Sequence, residues 1–472
     1  MQKLIVMKFG GTSVGSAERM RDVAAIVADA RKIYRVVVVV SAMSGVTDLL
    51  VKAAVAAESK DRAVYRHIVE EIRDKHHEAA GELKLEATQR QQLINAIEEQ
   101  LVNLSDWLDG VYMLSELTPR GRDLITSFGE RLSVLLVATA LHERDTIGKA
   151  IDATHCIVTD ENFGDAQPNL DLSTTHAEAV LRPLADEGIV PVVTGFLGAT
   201  QKGIVTTLGR GGSDYSATIL GYCLDADEVW IWTDVTGVMT ADPRIIPSAR
   251  TIDALSYDEA AELSYFGAKV LHPLTMVPAA LKNTPIVIKN TMDPAAAGTR
   301  ITKRVEVDTH GVKAITSMKN LSLITVQGKV MTGLPGFAAR VFGALAQANI
   351  SVHFISQASS EYNISLIVRG VDGHKASQIL RDTFHHELSL HNVEMVKLQE
   401  NLAIIAAVGE GMHGHPGVAG KTFASLGDGG INIIAIAQGS SERNISLVIA
   451  QDDVPKAVQL IHNAFKLERS KV

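Results

Sequence analysis

The segment from Lys8 to Gly15 reads "KFGGTSVG" and combines a lysine, paired glycines and two hydroxyl residues. Gly10 and Gly11 let the backbone approach an anion closely, and amides at the start of a following helix can point at phosphate oxygens. Lys8 adds a full positive charge from the end of the preceding strand. In a Walker A loop the lysine follows the glycines instead. Taken alone, the segment fits a phosphate site and a ligand-free strand-to-helix turn equally well.

Two further loops carry polar groups just before a helix. The first, "SAMSGVTDLL", offers the hydroxyls of Ser41, Ser44 and Thr47 to a carboxylate or phosphate, although Thr47 also suits helix capping. The second, "TTLGRGGSDYSATILG", surrounds Arg210 with glycines and places Asp214 at a helix start. A guanidinium can grip a carboxylate with two parallel hydrogen bonds. Asp214 is suited to a site or to a helix cap.

Glu130 is a carboxylate in an apolar helical stretch, "SFGERLS". A buried carboxylate requires a partner, because an unpaired charge in an apolar environment costs much free energy. Two partners are open from the sequence. One is the neighbouring Arg131, and the other is the ammonium group of a ligand.

A fourth polar region follows the apolar run "EVWIW". Thr233 and Asp234 end this predicted strand, and Arg244 in "GVMTADPR" and Lys269 in "FGAKVLHP" follow. Both cations are suited to a nucleotide, but each alone is also typical of a solvated surface charge.

The elements that must position these residues alternate between strands and helices over the first 290 residues. "YRVVVVVSAM" is typical of a strand that is buried on both faces of a parallel sheet. The polar, helical stretch from 60 to 118 interrupts the alternation. The pattern predicts an α/β fold with a largely parallel sheet between helices. In such sheets ligands bind at the carboxyl ends of the strands, where these loops fall.

The remainder of the chain contains an internal repeat. Segments beginning at Gly333 and Gly414 align without a gap through the pairs Gly336/Gly417 and Gln357/Gln438. Each copy predicts strand, loop, helix, two strands and a second helix. The first copy has a candidate closing strand, "NVEMVKLQ", whereas the second lacks one before Val472. Either the second copy lacks its last strand or it borrows one, and "VKAITSM", which precedes the first copy, is a candidate donor.

Composition limits the class of protein. The 472 residues are 46% hydrophobic and 21% charged, as in globular proteins, and allow two to four domains. A net charge of -9 argues against a general nucleic-acid binder. No run of about 18 apolar residues predicts a membrane span. Cys156 and Cys223 allow one disulfide, but without a secretory signal we expect a reduced cytoplasmic protein.

Together these segments resemble the aspartate kinases of the amino acid kinase superfamily, and the repeat resembles a pair of βαββαβ-type, ferredoxin-like ACT domains. The family's motifs occur in order: "KFGGTSVG", "VVVSAMSGVTDLL", "SFGERLS", "VVTGFLG", "TTLGRGGSDYSA", "WTDVTGVMTADPR" and "FGAKVLHP". The resemblance implies a catalytic domain over 1–291, a linker over 292–311 and ACT domains over 312–400 and 401–472. With no further large domain after Val472, the chain is similar to the monofunctional enzymes and not to the fusion with homoserine dehydrogenase.

This resemblance implies ATP-dependent phosphorylation of the L-aspartate side chain to 4-phospho-L-aspartate, the first step towards lysine, threonine and methionine. The attacking carboxylate is ionised at pH 7, so the reaction needs positioning and charge neutralisation, not a general base. The implied catalytic residues are Lys8 and Asp214, and the implied aspartate contacts are Ser41, Thr47, Glu130 for the ammonium and Arg210 for a carboxylate. The implied ATP contacts are Lys8, Gly10, Gly11, Thr233, Asp234, Met239, Arg244 and Lys269. Mg²⁺ is expected on the ATP phosphates without protein ligands, and Met239 stands where many relatives have Tyr.

The ACT pair implies feedback by an amino acid, with Gln357 and Gln438 as effector contacts. "ISQASSEYNIS" is closer to threonine-sensitive relatives, so we expect threonine rather than lysine. We also expect a homodimer or homotetramer through the ACT domains. Two alternatives stay open: another amino acid kinase, for example for glutamate, and a catalytically idle amino-acid sensor. The presence of Lys8 and Asp214 disfavours the sensor.

Overall fold

The computed structural model describes residues 2–268, 271–305, 311–328, 336–357, 363–390 and 392–468. The chain forms two compact units. The first unit comprises Met1–Val238, Asp253–Ala261 and Val270–Val305, and the second comprises Met239–Ile252, Glu262–Lys269 and Glu306–Val472.

The first unit alternates strands and helices, as the sequence predicts. Its strands are β1 Leu4–Phe9, β2 Arg35–Val40, β3 Gly148–Ile151, β4 Val158–Thr159, β5 Val190–Thr194, β6 Leu197–Thr200, β7 Val205–Thr207, β8 Glu228–Thr233, β9 Ala254–Ser256, β10 Ile286–Asn290 and β11 Thr299–Thr302. The helices are α1 Ala17–Arg31, α2 Val46–Glu58, α3 Arg62–Glu82, α4 Ala87–Leu114, α5 Pro119–Ala140, α6 Leu170–Asp186, α7 Gly212–Cys223, α8 Tyr257–Tyr265, which continues into the second unit, and α9 Pro273–Lys282.

The main sheet has eight strands in the order β3-β5-β2-β1-β8-β10-β11-β9. The run from β3 to β10 is parallel, and β11 is antiparallel to β10. Every residue of β1 is buried, as is the valine run of β2, because helices cover both faces. The predicted, largely parallel sheet between helices is confirmed. The carboxyl ends of β1, β2, β5 and β8 therefore meet at one edge.

The interruption at 60–118 is the helical pair α3 and α4, which packs with α2 and α5. Among the described residues, one helical stretch, Pro119–Arg144, is long and apolar enough to cross a membrane by length and composition. Its most apolar window is 78% buried inside the protein. This stretch is therefore a core helix of the first unit.

The second unit contains the repeat. Its strands are β12 Ala314–Gly328, β13 Phe354–Gln357, β14 Asn363–Arg369, β15 Val393–Val408, β16 Ala435–Gln438 and β17 Asn444–Ala450. Its helices are α10 Phe337–Gln347, α11 Gly370–Thr383, α12 His385–Ser389, α13 Val418–Asp428 and α14 Val454–Ala464. The six strands form one sheet in the order β13-β14-β12-β15-β17-β16.

Two long strands join the repeats into this single sheet. The first half of β12, from Ala314 to Met318, pairs antiparallel with Ile404–Val408, the first strand of the second copy. The predicted borrowing of a strand is thus confirmed. The first half of β15 closes the first copy by pairing with the second half of β12, as "NVEMVKLQ" predicts.

Two features depart from the predicted domain boundaries. Thr299–Thr302, within the predicted linker, forms strand β11, whose Thr299 and Ile301 are buried against β10 and β9. Residues 239–252 and 262–269, within the predicted catalytic domain, pack in the second unit. Ala241 and Ile246 lie in the same apolar cluster as Ile405 and Phe465, and this long-range packing leaves no local sequence signal. The remaining boundaries stay predictions.

Candidate active site

A cleft of about 330 Å³ lies at the carboxyl edge of the main sheet. Loops after β1, β2, β5 and β7 and one position of helix α5 form its wall. The lining residues include Lys8, Gly11, Ser41, Ser44, Thr47, Glu130, Phe196, Gly209, Ser213 and Asp214. The structure therefore brings together six of the predicted site residues from positions far apart in the sequence: Lys8, Gly11, Ser41, Thr47, Glu130 and Asp214.

Lys8 and Asp214 form an ion pair in this cleft. The Lys8 Nζ lies 2.5 Å from Asp214 Oδ1, and the two side chains are only 11% and 14% exposed. Lys8 is held at the end of β1, between β2 and β8. The N-cap of α7 is Gly211, not Asp214, and no side chain caps this helix. The capping alternative for Asp214 is therefore wrong, and its carboxylate lines the cleft.

The glycine pair after β1 lets two loops approach closely. A Cβ at Gly11 would lie 2.7 Å from the Ala42 carbonyl oxygen, a distance that a real side chain cannot adopt. The Ser44 amide donates to the Gly11 carbonyl, 3.2 Å away. Helix α2 begins after Gly45 without a side-chain cap, so the capping alternative for Thr47 is also wrong. The segment after β1 therefore forms a tight turn, and the same turn lines the polar cleft.

Glu130 is a buried carboxylate with one oxygen unsatisfied. Its Oε1 accepts a hydrogen bond from the Ala42 amide at 3.1 Å, while Oε2 has no hydrogen-bond partner within the described ranges. Burial raises the pKa of Glu130 to about 8, against smaller opposing effects of this hydrogen bond and of Lys8. Arg131 instead pairs with Asp152 at 2.7 Å, so the Arg131 alternative is wrong. An ammonium group in the cleft would satisfy the free oxygen.

Arg210 lies on the loop that leads to Asp214, but it does not line the cleft itself. Its side chain is exposed. The flanking Gly209 and Gly211 have φ angles of +73° and +70°, in the left-handed region that favours glycine. The Gly212 amide donates to the Gly209 carbonyl at 3.0 Å. The loop therefore has a defined backbone and presents the Arg210 side chain to solvent.

The predicted nucleotide contacts are divided between the two units. Thr233 ends β8, and the Gly10 amide donates to the carbonyl of the preceding residue, Trp232, at 3.3 Å. Thr233 Oγ1 donates to Asp234 at 3.2 Å. Met239 and Arg244 belong to the second unit, where Arg244 forks onto Asp242 with bonds of 2.7 and 3.0 Å. Lys269 lies outside the described residues. These assignments stay predictions.

Sequence reasoning missed Phe196 and Ser213 among the lining residues. Phe196 has a φ of +68°, which is unusual for a bulky residue, and its amide donates to Ser216 Oγ at 2.9 Å. Its motif "VVTGFLG" contributed only to the resemblance. The available signal was its place directly after an apolar strand, where ligand-binding loops of parallel sheets lie.

Comparisons with known proteins identify the family of this chain. Residues 3–290 match the model of the amino acid kinase family, and residues 324–384 and 405–465 match that of an ACT domain. Aspartokinase 3, chloroplastic, of Arabidopsis thaliana is 38% identical over 478 aligned residues, which cover 98% of this chain and 81% of that protein. The chain belongs to the aspartokinases.

Solved structures extend the likeness to the whole fold. Escherichia coli aspartokinase III in complex with aspartate and ADP superposes with a TM-score of 0.81 at 32% identity, covering 98% of this chain and 99% of that one. The bifunctional aspartokinase/homoserine dehydrogenase 2 of A. thaliana is 36% identical over 98% of this chain. The chain spans about half the length of such bifunctional relatives, 51% in that case.

Proposed function

We propose that the chain is an aspartate kinase, which transfers the γ-phosphoryl group of ATP to the side-chain carboxylate of L-aspartate and yields 4-phospho-L-aspartate. One observation carries the proposal: the Lys8–Asp214 ion pair shares a cleft with the unsatisfied, buried carboxylate of Glu130. The pair is suited to a phosphoryl group and the carboxylate to an amino acid's ammonium. The related E. coli aspartokinase III was solved with aspartate and ADP, which supports this pairing of ligands.

The residues divide the work by charge. Lys8 neutralises the negative charge that the phosphoryl group carries through the reaction, and Asp214 orients Lys8. Glu130 takes the ammonium of aspartate, and Arg210 reaches one of its carboxylates. Ser41, in the loop after β2, and Thr47, in the first turn of α2, donate hydroxyl hydrogen bonds to the substrate. No general base is required, because the attacking carboxylate is already ionised.

The nucleotide would extend from the cleft towards Gly10, Gly11, Thr233 and Asp234, with Met239, Arg244 and Lys269 as further contacts implied by the family. Within the described residues, no group of three or more His, Cys, Asp and Glu side chains is arranged to hold a metal ion. We propose that Mg²⁺ arrives with ATP, bound to its phosphates. Bound there, the ion would supply charge neutralisation beside Lys8.

The direct test is turnover of L-aspartate with ATP and Mg²⁺, detected as the acyl phosphate, beside a panel that includes L-glutamate. We predict that Lys8→Ala lowers kcat by about 10²-fold or more, because it removes the group that neutralises the phosphoryl charge. Lys3→Ala is the matched control, since Lys3 is exposed ahead of the same strand. Unchanged turnover in Lys8→Ala would contradict the mechanism, and preferred turnover of glutamate would contradict the substrate.

We further propose feedback inhibition by threonine, a homodimer or homotetramer assembled through the ACT domains, and a cytoplasmic location. Gln357 and Gln438 end the equivalent strands β13 and β16, and both are exposed. Ser356 Oγ donates to the Ile436 carbonyl at 3.3 Å, so the two strands approach one another. E. coli aspartokinase III was also solved with lysine and aspartate, so lysine is the competing candidate.

Assays with millimolar threonine or lysine distinguish the two effectors. Inhibition by lysine alone would contradict the threonine assignment. Gln357→Ala and Gln438→Ala should each raise the concentration of threonine that is required for half-maximal inhibition, without changing uninhibited turnover.

The oligomeric state is measured by light scattering coupled to size-exclusion chromatography. A monomer at micromolar concentration would contradict the proposed assembly.

A further inference from the structure

Asp123 is a second buried carboxylate on helix α5, and the mechanism above does not use it. The residue is 2% exposed and lies two helical turns before Glu130. Burial raises the pKa of Asp123, while hydrogen bonds from Gly164 and Thr207 act against the rise. A carboxylate that is removed from water costs free energy unless its oxygens are satisfied. The hydrogen-bond partners of Asp123 therefore indicate which part of the structure this buried carboxylate stabilises.

Three donors, one from the turn around Gly164 and two from Thr207 at the end of β7, converge on this carboxylate. The amides of Gly164 and Thr207 both donate to Oδ2 at 2.9 Å, and Thr207 Oγ1 donates to Oδ1 at 2.8 Å. The amides can only donate, so Asp123 must accept. The carboxylate thereby ties Thr207, at the end of β7, to the turn around Gly164.

Thr207 is the residue from which the Arg210 loop departs. Its carbonyl accepts from the Ala166 amide at 3.0 Å, so Thr207 is held from two sides. Farther along, the backbone at Gly209 packs so closely that an added Cβ would lie 2.8 Å from Asp165 Oδ1. The Leu208 amide donates to the Phe196 carbonyl at 2.9 Å, which links the same loop to another lining residue of the cleft.

We propose that Asp123 is a positioning residue for aspartate binding, because it fixes the start of the loop that carries Arg210. The inference rests on the proposed function of this cleft. Helix α5 then braces two sides of the site with two carboxylates: Glu130 accepts from Ala42 after β2, and Asp123 accepts from Thr207 at the end of β7. Asp123 itself touches no reacting atom. Its loss should weaken aspartate binding more than ATP binding, because the Gly10 and Thr233 loops lie outside its contacts.

The experiment compares Asp123→Ala with Asp123→Asn in the full chain. Asn keeps an oxygen for both amides, and its NH₂ can donate to the Thr207 hydroxyl oxygen. We expect Asp123→Ala to raise the KM for aspartate at least about tenfold, with less than a twofold change in the KM for ATP. Asp123→Asn should stay within about threefold of the wild type for both substrates.

Asp160→Ala is the matched control. Asp160 accepts from the amides of Asn162 and Gln167 in the same turn, but it does not contact Thr207. Both KM values should stay unchanged in this variant. Should Asp123→Ala fail to fold, Thr207→Val removes one of the three bonds with a side chain of similar shape, and it should raise the aspartate KM by a few-fold.

Hydrogen exchange of the ligand-free proteins gives a second readout. Amides from Leu208 to Gly212 should exchange faster in Asp123→Ala than in the wild type and the Asp123→Asn variant. Three results would each overturn the inference. They are an equal rise of the aspartate KM in Asp123→Ala and Asp123→Asn, an equal rise of the aspartate and ATP KM values in Asp123→Ala, and unchanged hydrogen exchange in Asp123→Ala. If the wild type fails to phosphorylate aspartate, the proposed function falls, while exchange still reports whether Asp123 fixes the loop.

Discussion

At the scale of single residues, the cleft is defined by how its charges are satisfied. Lys8 and Asp214 neutralise one another at 2.5 Å, whereas Glu130 keeps an unsatisfied oxygen in a nearly closed environment. In the free protein a proton relieves the cost of burying this carboxyl group, and an ammonium ligand would take the place of that proton by favouring the ionised form. Site residues of this kind are expected to lower the stability of the free protein.

The substitution Glu130→Gln tests this trade between stability and binding. The folded-state pKa of about 8 lies above the ordinary 4.5 of the unfolded chain, so the folded protein keeps a proton that the unfolded chain releases. Wild-type stability should therefore fall as the pH rises from 4.5 to 8, and Gln should remove this loss. We expect the Tm of Glu130→Gln to exceed that of the wild type by several degrees at pH 8, with little difference near pH 5.

The same variant should bind aspartate poorly, with the KM for aspartate raised at least about tenfold, since a neutral amide cannot pair with the ammonium. Glu99→Gln, an exposed position on α4, is the control and should change neither quantity. A Tm difference that does not vary with pH would contradict the raised pKa of Glu130. An unchanged KM would remove Glu130 from the aspartate site.

At the scale of elements, the two repeats depend on one another through β12 and β15. The first half of β12 completes the second copy, and Ile315 within it is 2% exposed. Ile315 packs in the cluster that contains Ala403, Ile405 and Val458, and its amide donates to the Thr240 carbonyl at 2.8 Å. The element therefore belongs to the second copy in space, although it precedes the first copy in sequence.

We predict that Ile315→Ala destabilises the second unit by about 2–5 kcal/mol, through the lost burial and the cavity that it leaves. Hydrogen exchange should show faster exchange over Ala403–Val408 and Ile445–Ile449, both in strands of the second copy. Ile436→Ala is the control, because Ile436 lies on β16 and is 42% exposed. Faster exchange confined to β13 and β14 of the first copy would contradict the shared-strand arrangement.

At the scale of the whole molecule, each of the two compact units is built from three chain segments that are not consecutive in the sequence. Residues 239–252, which carry Met239 and Arg244, pack within the second unit. There the Thr240 hydroxyl and His462 Nε2 of α14 share a buried hydrogen bond of 3.2 Å, and Ala241 and Ile246 lie in the apolar cluster. Met239 and Arg244 therefore lie in the unit that carries the ACT repeats.

A chain truncated at Val305 should therefore not behave as an independent kinase. It would lack β12 and α14, and Ala241 and Ile246 would lose the apolar neighbours that bury them. We expect the truncated chain to lose at least about 10²-fold in kcat/KM for ATP, or to aggregate through the exposed apolar surface. The measurement is turnover of the soluble fraction beside the full chain, and full activity of the truncated chain would contradict this dependence.

The sequence by itself determined the parallel sheet, the repeat, the strand-end loops and six of the residues that line the cleft, because these features are local. The valine run of β2 and the spacing of "KFGGTSVG" require no knowledge of distant contacts. The gapless repeat even indicated that the second copy lacks a strand. Lys8 and Asp214 were recognised as a pair only through the family resemblance.

Only the tertiary structure decided which partners the polar side chains have among the alternatives that the sequence left open. The distance from Lys8 to Asp214, the turn of Arg131 towards Asp152 and the three donors on Asp123 depend on contacts between distant segments. The packing of residues 239–252 in the second unit depends on such contacts too. Burial and long-range hydrogen bonds set the charge of a carboxylate and the unit to which a loop belongs, and neither is encoded in local spacing.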